Sequence, residues 1–160
     1  MERVVLFTVD GRPVPKGRPR VTRHGTYTPK STQIFEGEIR AAWLKCGEKP
    51  FEDGEALDVM VNAYYPIPSG TAKSKRQKLH LTPYLKRGDI DNIIKAVLDA
   101  LNGYAYKDDS AVFSVCGQKI YTDGEPFTAV YAIADTLAIG ACRALHDFEM
   151  VYPHFQKYGC

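Results

Sequence analysis

Hydrophobic residues change their spacing several times along this chain, and each change predicts a new element. Val4 to Val9 is β-rich and stops at Asp10-Gly11, which predicts a first strand and a turn. Ile34, Phe35, Ile39, Ala42 and Trp43 then recur at helical spacing. They predict a helix capped by Ser31 or Thr32, running to about Lys45 and closed by Gly47. Leu57, Val59, Val61, Ala63 and Tyr65 alternate with Asp58, Met60, Asn62 and Tyr64, the pattern of a half-buried strand. Pro66 and Pro68 end it, and Thr71 to Leu81 reads as a short basic helix. Ile93, Ile94, Val97, Leu98 and Leu101 return to helical spacing, with Asp89 at the capping position and Gly103 at the close. Ala111 to Ile120 carries apolar residues on both sides, which predicts a strand buried on both faces. Asp123-Gly124 predicts a turn and Phe127 to Ile133 a second strand, so the two form an antiparallel hairpin. Thr136 to Phe148 has a helical stripe of Leu137, Ala141, Ala144, Leu145 and Phe148, expected to pack on the sheet or to contact a partner.

The elements sum to an α+β fold, a single domain with a small mixed or antiparallel sheet flanked by helices. Its working part is expected over residues 1–133, with 134–160 a helical extension of the same domain. At 160 residues the chain can bury a sizeable core, and 44% hydrophobic residues is not a disordered composition. The four cysteines at 46, 116, 142 and 160 have no framework or zinc-ligand spacing, so a reduced, cytoplasmic setting is expected. The N-terminus lacks the pattern of a signal peptide, and no run approaches a membrane span.

A net charge of +2 says little about partners, but the distribution is uneven. Arg12 to Lys30 holds six Lys or Arg and no acid, and Pro66 to Gly88 repeats that count. The first stretch, an arm over residues 12–30, is rich in Pro and Gly and is expected to be extended and irregular. Long irregular loops usually have a function. Lys16, Arg18, Arg20 and Arg23 are candidate phosphate contacts there, and Tyr27 could stack on a base or anchor the loop. In the second stretch Lys73, Lys75, Arg76 and Lys78 offer general attraction, and Lys86 and Arg87 place positive charge beside Asp89. Solvated surface is the plain alternative for any one of them.

Between these stretches and the next strand lies the densest polar pattern, DIDNIIKAVLDALNGYAYKDD over residues 89–109. Asp91, Lys95, Asp99 and Asn102 line one helix face, away from the apolar one. Asp89 and Asp91 stand at the helix start, and a short loop presents Asp108 and Asp109. Convergence of Asp89, Asp91 and Asp109 would form an oxygen-only site suited to Mg²⁺, with Lys95 one turn along. Ordinary i,i+4 pairs of Lys95 with Asp91 or Asp99, a capping role for Asp89 and a plain turn at Asp108-Asp109 explain the same residues without a metal.

GDIDNIIKAVLDALNG, followed by YKDDSAV, closely resembles the core motif of the RusA family of Holliday junction resolvases of bacteria and prophages. The opening GRPVPKGRPRVTRHGTYTPKSTQIFE is similar too, and the resemblance runs from about Val4 to Ile133. It implies a homodimeric, Mg²⁺-dependent endonuclease, with Mn²⁺ as a substitute, that cuts four-way DNA junctions. It implies essential roles for Asp89, Asp91, Lys95 and Asp109, the aspartates as metal ligands, with Asn92, Asp99 and Asp108 in support. The tail beyond Ala134 departs from the family pattern. A nuclease for flaps or forks, a non-catalytic protein holding branched DNA and a small structural protein with an acidic surface helix are the alternatives.

Overall fold

A computed structural model describes residues 3–23 and 25–134 of the chain. The expected helix at Thr136–Phe148 lies outside the described residues. In chain order the elements are β1 (Arg3–Asp10), β2 (Arg20–Thr22), β3 (Gly25–Tyr27), α1 (Lys30–Cys46), β4 (Leu57–Pro66), α2 (Lys73–Leu79), α3 (Ile90–Leu101), β5 (Val112–Thr122) and β6 (Phe127–Ala134). A four-stranded sheet runs β1-β6-β4-β5, and β2 with β3 forms a separate two-stranded ribbon. The expected α+β architecture, a small mixed sheet flanked by helices, is what forms.

The order of strands corrects the expected hairpin of β5 with β6. β6 pairs antiparallel with both β1 and β4, whereas β5 pairs parallel with β4. The turn after Thr122 therefore does not return the chain beside β5; it carries β6 across to the far side of β4. Burial accounts for the choice. β6 has Thr128 to Ala134 all buried and β4 has Leu57 to Tyr65 all buried, so both are interior strands. The half-buried face expected for β4 is likewise buried. The burial expected on both faces of β5 holds only at its end, where Ile120 to Thr122 are buried; Phe113 and Val115 are exposed, as befits an edge strand.

One face of the sheet takes both long helices. Val5, Phe7 and Val9 of β1, Val59, Val61 and Ala63 of β4, and Val130 and Ala132 of β6 pack there. They meet Phe35, Ile39 and Trp43 from α1 and Ile93, Ala96, Val97, Ala100 and Leu101 from α3. Ile34, expected on the apolar face of α1, is instead half exposed at 53%. Nor do Ser31 and Thr32 cap α1. It starts at Lys30 behind Pro29, and the Thr32 hydroxyl accepts from the Gly17 amide at 3.0 Å.

The seat of α3 is unusually close at one point. A Cβ on Gly117 of β5 would fall 2.9 Å from Ile94 Cδ1 and 3.0 Å from the Val61 carbonyl oxygen. Gly117 is therefore the gap into which Ile94 fits, and a larger residue there requires the Ile94 side chain or the neighbouring backbone to shift. Burying Ile93, Val97 and Leu101 beside it stabilises by about 1.5–3 kcal/mol each. Gly117→Ala is expected to destabilise by about 1–3 kcal/mol, the scale of core overpacking. Urea unfolding measures it, and adding Ile94→Ala should recover part of the loss.

Candidate active site

With its apolar face held on the sheet, α3 turns its polar face outward. Asp89 occupies the capping position in extended conformation, but its side chain makes no capping hydrogen bond. The carboxylate is exposed, as is that of Asp91 in the first turn. Negative charge is favourable there because the first amides of a helix point outward unpaired. Lys95 is exposed one turn further on. Its alternative i,i+4 ion pairs with Asp91 and Asp99 are not among those of the described residues, and Asp99 turns to another lysine.

That lysine is Lys16. Its ammonium lies 2.8 Å from Glu36 of α1 and also pairs with Asp99 of α3, and its amide donates to the Asn92 carbonyl at 2.8 Å. A residue expected on a DNA backbone thus ties the arm, α1 and α3 together. Burial acts to lower its pKa, but hydrogen bonds and charge from Asp99 and Glu36 outweigh this and leave it raised. The arm also contains the ribbon β2–β3, where irregular chain was expected. Arg18 and Arg23 are exposed beside it, and so is Tyr27 at its end.

After α3 the chain turns through Gly103 and buries Tyr106, whose hydroxyl donates to the Leu98 carbonyl at 2.9 Å. Burial raises that phenol's pKa far above its usual range, and the charges of Asp109 and then Asp99 add to the effect. Tyr106 thus anchors the chain after α3 to the last turn of the helix, and Asp109 follows three residues later. Asp108 accepts from the Ser110 amide at 2.8 Å, and its bonding to Ser110 lowers its pKa. Asp109 itself opens a 3₁₀ turn and is exposed.

A family model described as Endodeoxyribonuclease RusA matches residues 10–131, which include the arm, the polar face of α3 and the Asp108-Asp109 turn. The chain belongs to the RusA family. It is also 34% identical over 128 residues to the uncharacterized protein YqaN of Bacillus subtilis (strain 168), covering 74% of this chain and 89% of that protein. RusA membership places the chain among nucleases that act on branched DNA, a family that broadly uses divalent metal ions.

The donors suit such an ion in kind. Asp89, Asp91 and Asp109 offer only oxygen, and all three are exposed. They are not drawn together, however: among the described residues no group of three or more His, Cys, Asp or Glu is arranged to hold a metal. The expected three-way convergence is therefore not seen. Two carboxylates share the start of α3, and the third stands across the loop.

Of the basic residues singled out from the RusA-like sequence, Lys73, Lys75, Lys78, Lys86 and Arg87 are exposed. Arg76 is engaged internally, with its Nε 2.7 Å from Asp123 and its guanidinium donating to the Pro68 carbonyl at 3.1 Å. His80 accepts from the Asp123 amide at 3.1 Å, a packing role. Sequence reasoning missed Lys119. Its ammonium donates to the Gly88 carbonyl at 2.6 Å and to the Lys86 carbonyl at 2.9 Å, directly before Asp89. A single lysine inside an apolar strand carries no motif, so nothing in the local sequence marked it.

The Lys16 cluster gives a prediction with a defined sign. Its folded pKa is raised, so its stabilisation is fully present below its ordinary value of 10.5 and is lost as pH rises through the folded value. Lys16→Met should cost about 1–3 kcal/mol at pH 7, between the surface and buried limits for ion pairs. Urea unfolding at pH 7 and above pH 11 measures it, with the difference between the two proteins shrinking at the alkaline end.

Proposed function

We propose that this chain is a Mg²⁺-dependent endonuclease that resolves four-way DNA junctions by phosphodiester hydrolysis. The observation that carries the reading is the D-x-D-N, lysine and D-D pattern. In a RusA family member it sits on the exposed face and flanking turn of one helix whose other face is fully buried.

Asp89, Asp91 and Asp109 would hold one or two Mg²⁺ ions, with Mn²⁺ as a substitute. A bound divalent cation supplies polarisation of a nonbridging phosphate oxygen and a lowered pKa for water. The chain's own part is positioning and charge. Lys95, one turn beyond Asp91, offsets negative charge as it builds on the phosphate. Asn92, Asp99 and Asp108 support the site: Asn92 and Asp99 through Lys16, and Asp108 by holding the turn that presents Asp109. Arg18, Arg20, Arg23, Lys73, Lys75, Lys78, Lys86 and Arg87 attract the flanking phosphates, so binding weakens with salt. Lys16 and Arg76, committed to carboxylates, contribute little to that attraction. Paired cuts need two sites, and a homodimer with twofold symmetry matches the symmetry of the junction.

The test is cleavage of a synthetic four-way junction with and without Mg²⁺, run beside flap, fork and linear duplex substrates. Paired incisions that require Mg²⁺ are expected on the junction. Asp91→Asn should lower cutting by about 10²–10³-fold, the scale of losing a major electrostatic group, while junction binding persists. Preferred cutting of flaps or forks would replace the substrate class. Binding without cutting by the unsubstituted protein would make it a holding protein.

A further inference from the structure

We infer that Lys119 is a positioning residue that sets where Asp89 stands. The inference rests on the nuclease reading only for its catalytic consequence. β5 runs antiparallel to a short extended segment along its outer edge. The Leu81 amide donates to the Tyr121 carbonyl, Tyr121 to Thr82 and Tyr84 to Lys119, each at 2.9 Å. Past Tyr84 these backbone bonds stop, five residues short of Asp89, and the Lys119 side chain takes over. Its ammonium holds the carbonyls of Lys86 and Gly88 together, and it lies 5.6 Å from the centre of the Tyr84 ring.

The turn it holds is a demanding one. Gly88 has φ +103, a conformation that residues with a side chain rarely adopt. A Cβ there would meet the Tyr65 hydroxyl at 3.5 Å and Pro15 at 3.6 Å. The turn is thus packed from the arm side and bonded from the β5 side. Asp89 follows it immediately, and with no capping bond of its own its carboxylate depends on the backbone around it for its place. Both of the ammonium's described hydrogen bonds go to backbone carbonyls, which makes Lys119 a strut and not a phosphate contact.

Lys119→Met keeps the aliphatic stem and removes the donors; Lys119→Arg keeps donors. Hydrogen exchange is read at the Ile93 amide, bonded to the Asp89 carbonyl at 3.2 Å, with the Val130 amide of β6 as control. In Lys119→Met the Ile93 amide should exchange about tenfold faster or more, the scale of losing a hydrogen bond to a charged group, with Val130 unchanged. Junction cleavage at saturating DNA should fall by about tenfold or more on the same scale. Junction affinity without divalent ions should stay within about twofold, since no phosphate contact is lost. Lys119→Arg should recover most of the exchange protection and cutting. Unchanged exchange at Ile93 overturns the strut. So does a cleavage loss that is wholly weakened junction affinity. If the unsubstituted protein cuts nothing, the nuclease reading fails, and the exchange comparison still decides the strut.

Discussion

The burial of the apolar face of α3 against the sheet, with Ile94 seated over the bare backbone of Gly117, decides which way the helix faces. A helix buried along Ile93, Ala96, Val97, Ala100 and Leu101 has only one way to face. Its polar residues are then carried outward as a rigid row. Asp89 and Asp91 reach solvent at the start of α3 because the apolar side of the same helix cannot. Precision at a surface site here derives from packing below it, and side chains on regular elements hold geometry better than those on loops.

Charge in the molecule divides into two kinds. Lys16, Arg76 and Lys119 are spent on internal partners: two carboxylates, an aspartate with a carbonyl, and a pair of carbonyls. Each joins segments far apart in sequence. Arg18, Lys73, Lys75, Lys78, Lys86 and Arg87 stay in water. Exposed charges act through a field that falls off within about 10 Å at 0.1 M salt, so they suit attraction of a polyanion more than stability. Composition cannot separate the two kinds, since a lysine looks the same in sequence whether it meets Glu36 or solvent.

The strand order shows where local pattern stops short. Runs of β-favouring apolar residues, alternating only in β4, placed β1, β4, β5 and β6 to within about two residues. Such runs do not report neighbours. β5 and β6 look like a hairpin because a turn joins them, yet the parallel partner of β5 is β4, reached through α2 and α3. An edge strand and an interior strand differ in what lies beside them. Phe113 and Val115 carry no mark of their exposure.

From the residues alone came the helix with one apolar and one acidic face, the lysine a turn beyond Asp91, the two basic stretches and the family. All of these are matters of residue type and spacing, which the chain carries in full. Only the folded chain settled that Asp99 faces Lys16, that Glu36 joins them, that Tyr106 bonds back to Leu98 and that Lys119 holds the turn before Asp89. Those pairings span from 8 to 83 residues of sequence, and the long ones depend on how α1, α3 and β5 stack against one another. Contact at that range follows from three-dimensional packing, which no periodicity along the chain encodes.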